Sequence, residues 1–260
     1  MERSDPDYAL LDRLGTGRAI FYPRPDRTLP PEGASDHRIA VAEGVELAAR
    51  LYEGDRSWPS VLYFHGNGEV VSDHDDVATI YHQVGLNLFV VDFRGYGASS
   101  GSPTFAALVG DAIPAVEQFH AILDSGGFAL PRFVMGRSLG AHPALEIAAR
   151  RPDRLCGLII ESGAGSLSRL AAMAGGGDDA APLVAAHEAK LRSITLPTLI
   201  LHGEHDELIP LDRAVELHET IASTDRELLV IPGAGHNDIL WVGLQEYFGA
   251  IARFTSRLAT

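Results

Sequence analysis

A single cysteine, Cys156, stands in the 260 residues, so the chain cannot close a disulfide on itself. It sits in the apolar run Leu155-Cys156-Gly157-Leu158-Ile159-Ile160 and reads as core packing. Basic charge is also scarce: 21 Lys and Arg against 35 Asp and Glu give a formal net charge of −14. A nucleic-acid binder needs clustered Lys and Arg to displace counterions, and an anionic membrane face attracts the same residues. Neither partner is expected. No run of about 18 apolar residues occurs, so no membrane span is expected. The opening Met1-Glu2-Arg3-Ser4-Asp5-Pro6-Asp7 lacks the apolar stretch of a signal peptide, and a cytoplasmic location is expected. No internal repeat occurs. No G-x-G-x-x-G follows the first strand of the sheet, so no dinucleotide, and no other cofactor, is expected.

What is present is an ordinary globular composition, 46% hydrophobic, long enough for one sizeable core. After a proline-rich lead-in over 22–33, the runs 38–42 and 45–51 read as two strands around Glu43-Gly44. Short apolar runs then begin at Val61, Leu88, Phe133, Leu155, Thr198 and Leu228. Continuous runs of this length fit strands buried on both faces of a parallel sheet. Helical patterns lie between them at 73–84, 104–124, 139–150, 211–222 and 238–257. The alternation predicts one α/β domain over 1–260, built on a mostly parallel, doubly wound sheet of about eight strands. One connection breaks the rhythm. Residues 163–194, with Gly175-Gly176-Gly177 inside, read as a small cap inserted at the carboxyl edge of the sheet.

The pattern G-x-S-x-G occurs twice, so context must choose between Ser99 and Ser138. Ser138 lies in Gly136-Arg137-Ser138-Leu139-Gly140, after the strand-like Arg132–Met135 and before the helical 139–149. A serine in a sharp strand-to-helix turn presents its hydroxyl at the top of a sheet, with a helix amino terminus behind it. Ser99 follows a glycine-rich loop and precedes Pro103, with no immediate helix, and reads as a loop residue. A serine hydroxyl needs a base. Of the 11 histidines, His236 lies just beyond the last strand, in Pro232-Gly233-Ala234-Gly235-His236, where it can reach such a serine. The acid that fixes its tautomer is expected to be Asp206, directly after the preceding strand, with Glu161 as the alternative. The order Ser138, Asp206, His236 suits a nucleophile elbow. The oxyanion donors are expected to be the N–H groups of Leu139 and of Asn67, in the loop His65-Gly66-Asn67-Gly68 after an earlier strand; His65 is read as bracing that loop.

These motifs, with Asp92-Phe93-Arg94-Gly95-Tyr96-Gly97 and His202-Gly203-Glu204-His205-Asp206, appear in order over roughly 36–257. Together they resemble the α/β-hydrolase superfamily, and within it the small, short-cap α/β-hydrolase-domain proteins of the prolyl-oligopeptidase-like group. The resemblance implies a Ser-His-Asp hydrolase that forms an acyl-enzyme from a small-molecule acyl substrate, most simply a carboxylic ester. Relatives of this kind also include lysophospholipases, depalmitoylating thioesterases and peptidases. Depalmitoylating relatives carry a cysteine cluster near the amino terminus, which this chain lacks. A non-catalytic binding protein on the same fold is the rival from another class. Two clusters imitate metal sites. Asp73-His74-Asp75-Asp76 is read as capping a helix, and His202 with His205 as loop structure; no metal is expected.

Overall fold

The computed structural model describes residues 5–15 and 20–259; Met1–Ser4, on which part of the signal-peptide reading rests, lie outside the described residues. The expected strands are β1 (Ala34–Ala42), β2 (Val45–Tyr52), β3 (Ser60–Phe64), β4 (Asn87–Val91), β5 (Arg132–Arg137), β6 (Gly157–Glu161), β7 (Thr198–Gly203) and β8 (Arg226–Ile231). Among the described residues they form one eight-stranded sheet in the order β1-β2-β4-β3-β5-β6-β7-β8. The pairings β1–β2 and β2–β4 are antiparallel and the rest are parallel. The strand order reverses around β3, with β4 on one side and β5 on the other. Loops after β3 and β5 therefore part at the carboxyl edge and leave a crevice there.

The helices are α1 (Ala9–Arg13), α2 (Val77–Gln83), α3 (Phe105–Gly110), α4 (Ala112–Ser125), α5 (Ala141–Arg150), α6 (Ser168–Met173), α7 (Ala181–Leu191), α8 (Leu211–Thr220), α9 (Ile239–Val242) and α10 (Leu244–Leu258). Because side chains alternate along a strand, the sheet feeds two cores. Leu62, Phe64, Val134, Leu158 and Ile160 meet Phe119 of α4, Leu145 of α5 and Leu217 of α8. Val61, Tyr63, Phe133, Met135 and Ile159 meet Tyr81 of α2 and Phe248, Ile251 and Phe254 of α10. Cys156 packs at the margin of this second core.

Three helical stretches differ from expectation. The stretch 104–124 divides at Asp111, because Pro114 has no N–H to give the Gly110 carbonyl and the helix must restart. The stretch 238–257 divides at Gly243, where a Cβ would lie 2.3 Å from Cγ2 of Ile231. The acidic run 73–76 does not cap a helix as a unit. Asp73 accepts from the Val70 amide (3.0 Å) and so caps the 3₁₀ turn Val71–His74. Asp75 instead accepts from buried Arg50 (2.9 Å) and from the Tyr52 hydroxyl (2.7 Å).

Within 163–194, α6 and α7 are joined through Gly175 and Gly177, at φ +72° and +45°. A buried polar chain ties α7 to α5 and to the amino-terminal segment. Lys190 Nζ donates to Glu146 Oε2 (2.6 Å) and to the Tyr8 hydroxyl. The Tyr8 hydroxyl can then donate only onward, to Nδ1 of His187 (2.9 Å), whose Nε2–H donates to the Gly165 carbonyl (2.7 Å). These partners require neutral His187. Burial, and then the Lys190 charge, lower it from an ordinary 6.5 to about 2. The same two causes lower His142, in α5, to about 3.

The unfolded chain binds protons at these histidines where the folded chain does not, so stability is fully present above pH 6.5 and is lost as pH falls. By about pH 5 each histidine is expected to remove about 2 kcal/mol. Urea melts at about pH 7.5 and about pH 5 test this, and equal midpoints would refute it. His142→Leu should shrink the difference, since Nδ1 of His142 has no partner to lose among the described residues.

Candidate active site

The turn after β5 is packed backbone against backbone. A Cβ on Gly136 would lie 2.1 Å from the Gly140 carbonyl oxygen, and one on Gly140 would lie 2.1 Å from that of Phe64. Only glycine fits at either position. Between them Ser138 adopts φ +51°, a left-handed conformation costly for a residue with a side chain. The 3₁₀ turn Ser138–Gly140 leads directly into α5.

Two further loops converge on this serine. After β7, Asp206 is almost wholly buried. Its Oδ1 accepts from the amides of Leu208 (3.0 Å) and Ile209 (2.7 Å), which leaves Oδ2 for Nδ1 of His236 at 2.7 Å. Burial works to raise this carboxyl, and the bonds from His236 and the Ile209 amide outweigh burial, so its net shift is downward. An ionised Asp206 only accepts, so Nδ1 of His236 carries the proton and Nε2 presents its lone pair. That nitrogen lies 2.9 Å from Ser138 Oγ. The loops carrying Asp206 and His236 touch because Gly203 has no side chain: a Cβ there would lie 2.5 Å from the Ala234 carbonyl oxygen.

The other candidates take separate places. Glu161 turns away from the histidine: its oxygens accept from Arg137 Nε (3.1 Å) and the Tyr247 hydroxyl (2.7 Å). Glu204 accepts from the Gly233 amide (2.9 Å). Ser99 Oγ accepts from the Ala48 amide (2.7 Å), so this serine braces a loop. Nε2 of His202 contacts the Ile209 carbonyl (2.8 Å) within the acid loop. His65 is buried, with Nδ1 2.7 Å from the Gly66 carbonyl and Nε2 3.2 Å from Asp92. The Asn67 side chain is fixed by the Tyr22 amide (3.0 Å), the Tyr96 hydroxyl (2.7 Å) and the Ile20 carbonyl. Among the described residues the backbone N–H groups of Asn67 and Leu139 donate no backbone hydrogen bond outside helices and strands.

Two features escaped the sequence reading. Ser162, at the end of β6, has φ +47° and a buried Oγ with no partner among the described residues. Its only sequence signal is the Ser-Gly pair at a strand end. Arg137 stands in the elbow motif as a spacer, yet its side chain is largely buried among carboxylates.

A strained serine at a strand-to-helix turn of a mostly parallel sheet, with histidine and aspartate on later loops, defines the α/β-hydrolase class. The family described as serine aminopeptidase, S33, matches residues 57–175 and 172–240. Protein bem46 of Schizosaccharomyces pombe is 30% identical over 211 residues, 78% of this chain and 69% of that protein. An uncharacterised protein of Mycobacterium tuberculosis is 30% identical over 251 residues, 93% of this chain and 88% of its own. Human alpha/beta hydrolase domain-containing protein 17B is 31% identical over 207 residues, 76% and 66% of the two chains. Pyrococcus furiosus esterase Pf2001 shares the fold with a TM-score of 0.74 at 19% identity, over 92% of this chain and 100% of that one. The chain belongs to the serine aminopeptidase S33 family of α/β-hydrolases. Among the described residues no helix is long and apolar enough to cross a membrane.

Gly140→Ala should force the elbow off the β3 backbone, which cannot yield, and destabilise the protein by roughly 3 kcal/mol or more. Thermal melting reads this, and an unchanged midpoint would refute the packing argument.

Proposed function

We propose that this hydrolase is a serine esterase acting on the carboxylic ester of a small molecule. The observation that carries the reading is the continuous chain Ser138 Oγ, His236, Asp206, joined at 2.9 and 2.7 Å. Ser138 Oγ attacks the acyl carbonyl while Nε2 of His236 takes its proton. Asp206 holds the ring in the reactive tautomer and stabilises the imidazolium. The N–H groups of Leu139 and Asn67 receive the oxyanion as fixed donors that need no reorganisation. His236 then protonates the leaving alkoxide, and the acyl-enzyme forms. Water enters, gives a proton to the same nitrogen and attacks the acyl carbonyl; the bond to Ser138 Oγ breaks, Oγ takes the proton back from His236, and the acid leaves. The chemistry asks for no cofactor. The segment 163–194, held to α5 through Lys190 and Glu146, serves as a small cap that limits the acyl group. A cytoplasmic protein is the matching location.

Labelling with a fluorophosphonate probe tests the reading. Wild type should label stoichiometrically, and Ser138→Ala not at all. His236→Ala and Asp206→Asn should slow labelling and hydrolysis of short p-nitrophenyl esters by ~10³-fold or more. Labelling that survives in Ser138→Ala, or is absent in wild type, would refute it. A parallel panel of thioesters and aminoacyl amides tells which acyl bond is preferred.

A further inference from the structure

The side chain after Gly136 falls on the face of the sheet shared by Phe133 and Met135, as alternation along β5 requires. There Arg137 is almost enclosed, and every nitrogen of its guanidinium is engaged. Nε donates to Glu161 Oε1 (3.1 Å) at the end of β6, and the first terminal nitrogen donates to Glu69 Oε1 in the loop after β3. The second terminal nitrogen donates to the backbone carbonyl of His236 (3.0 Å) and to Oδ1 of Asn237 (3.1 Å). Its carboxylate partners are themselves fixed. Glu161 accepts from Tyr247, and Glu69 accepts from the Gly66 amide (2.9 Å), one residue before Asn67. Gly66 also makes room: a Cβ there would lie 2.2 Å from the first terminal nitrogen of Arg137.

We infer that Arg137 is a positioning residue, which sets His236 over Ser138 and steadies the Asn67 loop at the same time. This rests on the triad reading above. The nucleophile's own neighbour grips the backbone of the base, so Ser138, Arg137 and His236 form a ring closed by two hydrogen bonds. A shift of the histidine loop must stretch a bond to a buried, anchored cation. Lysine cannot replace it, because one ammonium cannot reach three loops in the planar fork that guanidinium offers. Arg137 also lines a cavity of about 260 Å³ with Glu69, Glu161, Asn237 and Tyr247, so a small cation can enter from solution if the side chain is removed.

The test uses Arg137→Lys and Arg137→Ala, each checked for folding by circular dichroism. Both should lower kcat and the rate of fluorophosphonate inactivation by ~10- to 100-fold, with KM little changed, since small displacements of a base cost that much. Guanidinium chloride at low concentration should restore part of the Arg137→Ala rate, and methylammonium should not. A folded variant reacting at the wild-type rate would overturn the inference, as would guanidinium that restores melting temperature without restoring rate. Should Arg137→Ala fail to fold, Arg137→Lys keeps the positive charge between Glu69 and Glu161 and carries the same reading. The downfield Nδ1 proton of His236, assigned by its loss in His236→Ala, gives a readout without turnover. It should broaden or vanish in Arg137→Lys, and a sharp, unmoved resonance overturns the inference. Wild type that does not label refutes the triad reading instead, and the proton resonance still decides the role of Arg137.

Discussion

The arrangement depends on backbone lying against backbone at the carboxyl edge of the sheet. Gly140 leaves no space for a Cβ before the Phe64 carbonyl, and Gly136 leaves none before Gly140. That contact seats the serine turn on the end of β3, and the loop carrying Asn67 starts at His65, directly after the same strand end. Gly203 repeats the device between the loops carrying Asp206 and His236. Loops held by side chains can shift as rotamers change, whereas backbones in van der Waals contact cannot. Residues from three distant segments therefore keep hydrogen-bond distances through packing, before any polar term is counted.

Electrostatics then act on a frame already set. Asp206 spends one oxygen on two backbone amides and offers the other to His236. The bonds from His236 and the Ile209 amide hold the carboxylate ionised despite burial, and the ionised carboxylate fixes which imidazole nitrogen faces Ser138. Glu161 is buried at the neighbouring strand end and has the right chemistry for the same task. Its two oxygens are committed to Arg137 and Tyr247 on the other face of the sheet, and burial raises its carboxyl above the ordinary value. An acid so engaged cannot also orient a histidine. In the proposed triad that task therefore falls to Asp206.

Most of the fold was legible in the sequence because it is written locally. Continuous apolar runs mark strands buried on both faces, and Glu43-Gly44 marks the hairpin of β1 and β2. The strand-to-helix context separated Ser138 from Ser99, which the shared motif could not do. Helix breaks were harder. Pro114 announces the restart of α4 only once it is seen that the carbonyl it abandons belongs to Gly110. The acidic run at 73–76 looked like one capping cluster because sequence adjacency hides direction. In the fold Asp73 turns to Val70 and Asp75 to Arg50.

Arg137 was illegible for a different reason. Its partners lie 24, 68 and 100 residues away, at Glu161, Glu69 and Asn237, and no periodicity links such positions. What the sequence does contain is its consequence, Gly66, which clears a path for the guanidinium. The strand's alternation makes this economical. β5 ends at Arg137, whose side chain lies on the face of Phe133 and Met135, and the chain turns at Ser138, so one turn can present a hydroxyl to the crevice and an anchor to the interior. Strain at Ser138 then has something to push against. A left-handed serine relaxes unless its flanks are held, and here one flank is a glycine wedged against β3 and the other is an arginine bonded to three loops. The cost of that conformation is borne by groups that lie outside the crevice.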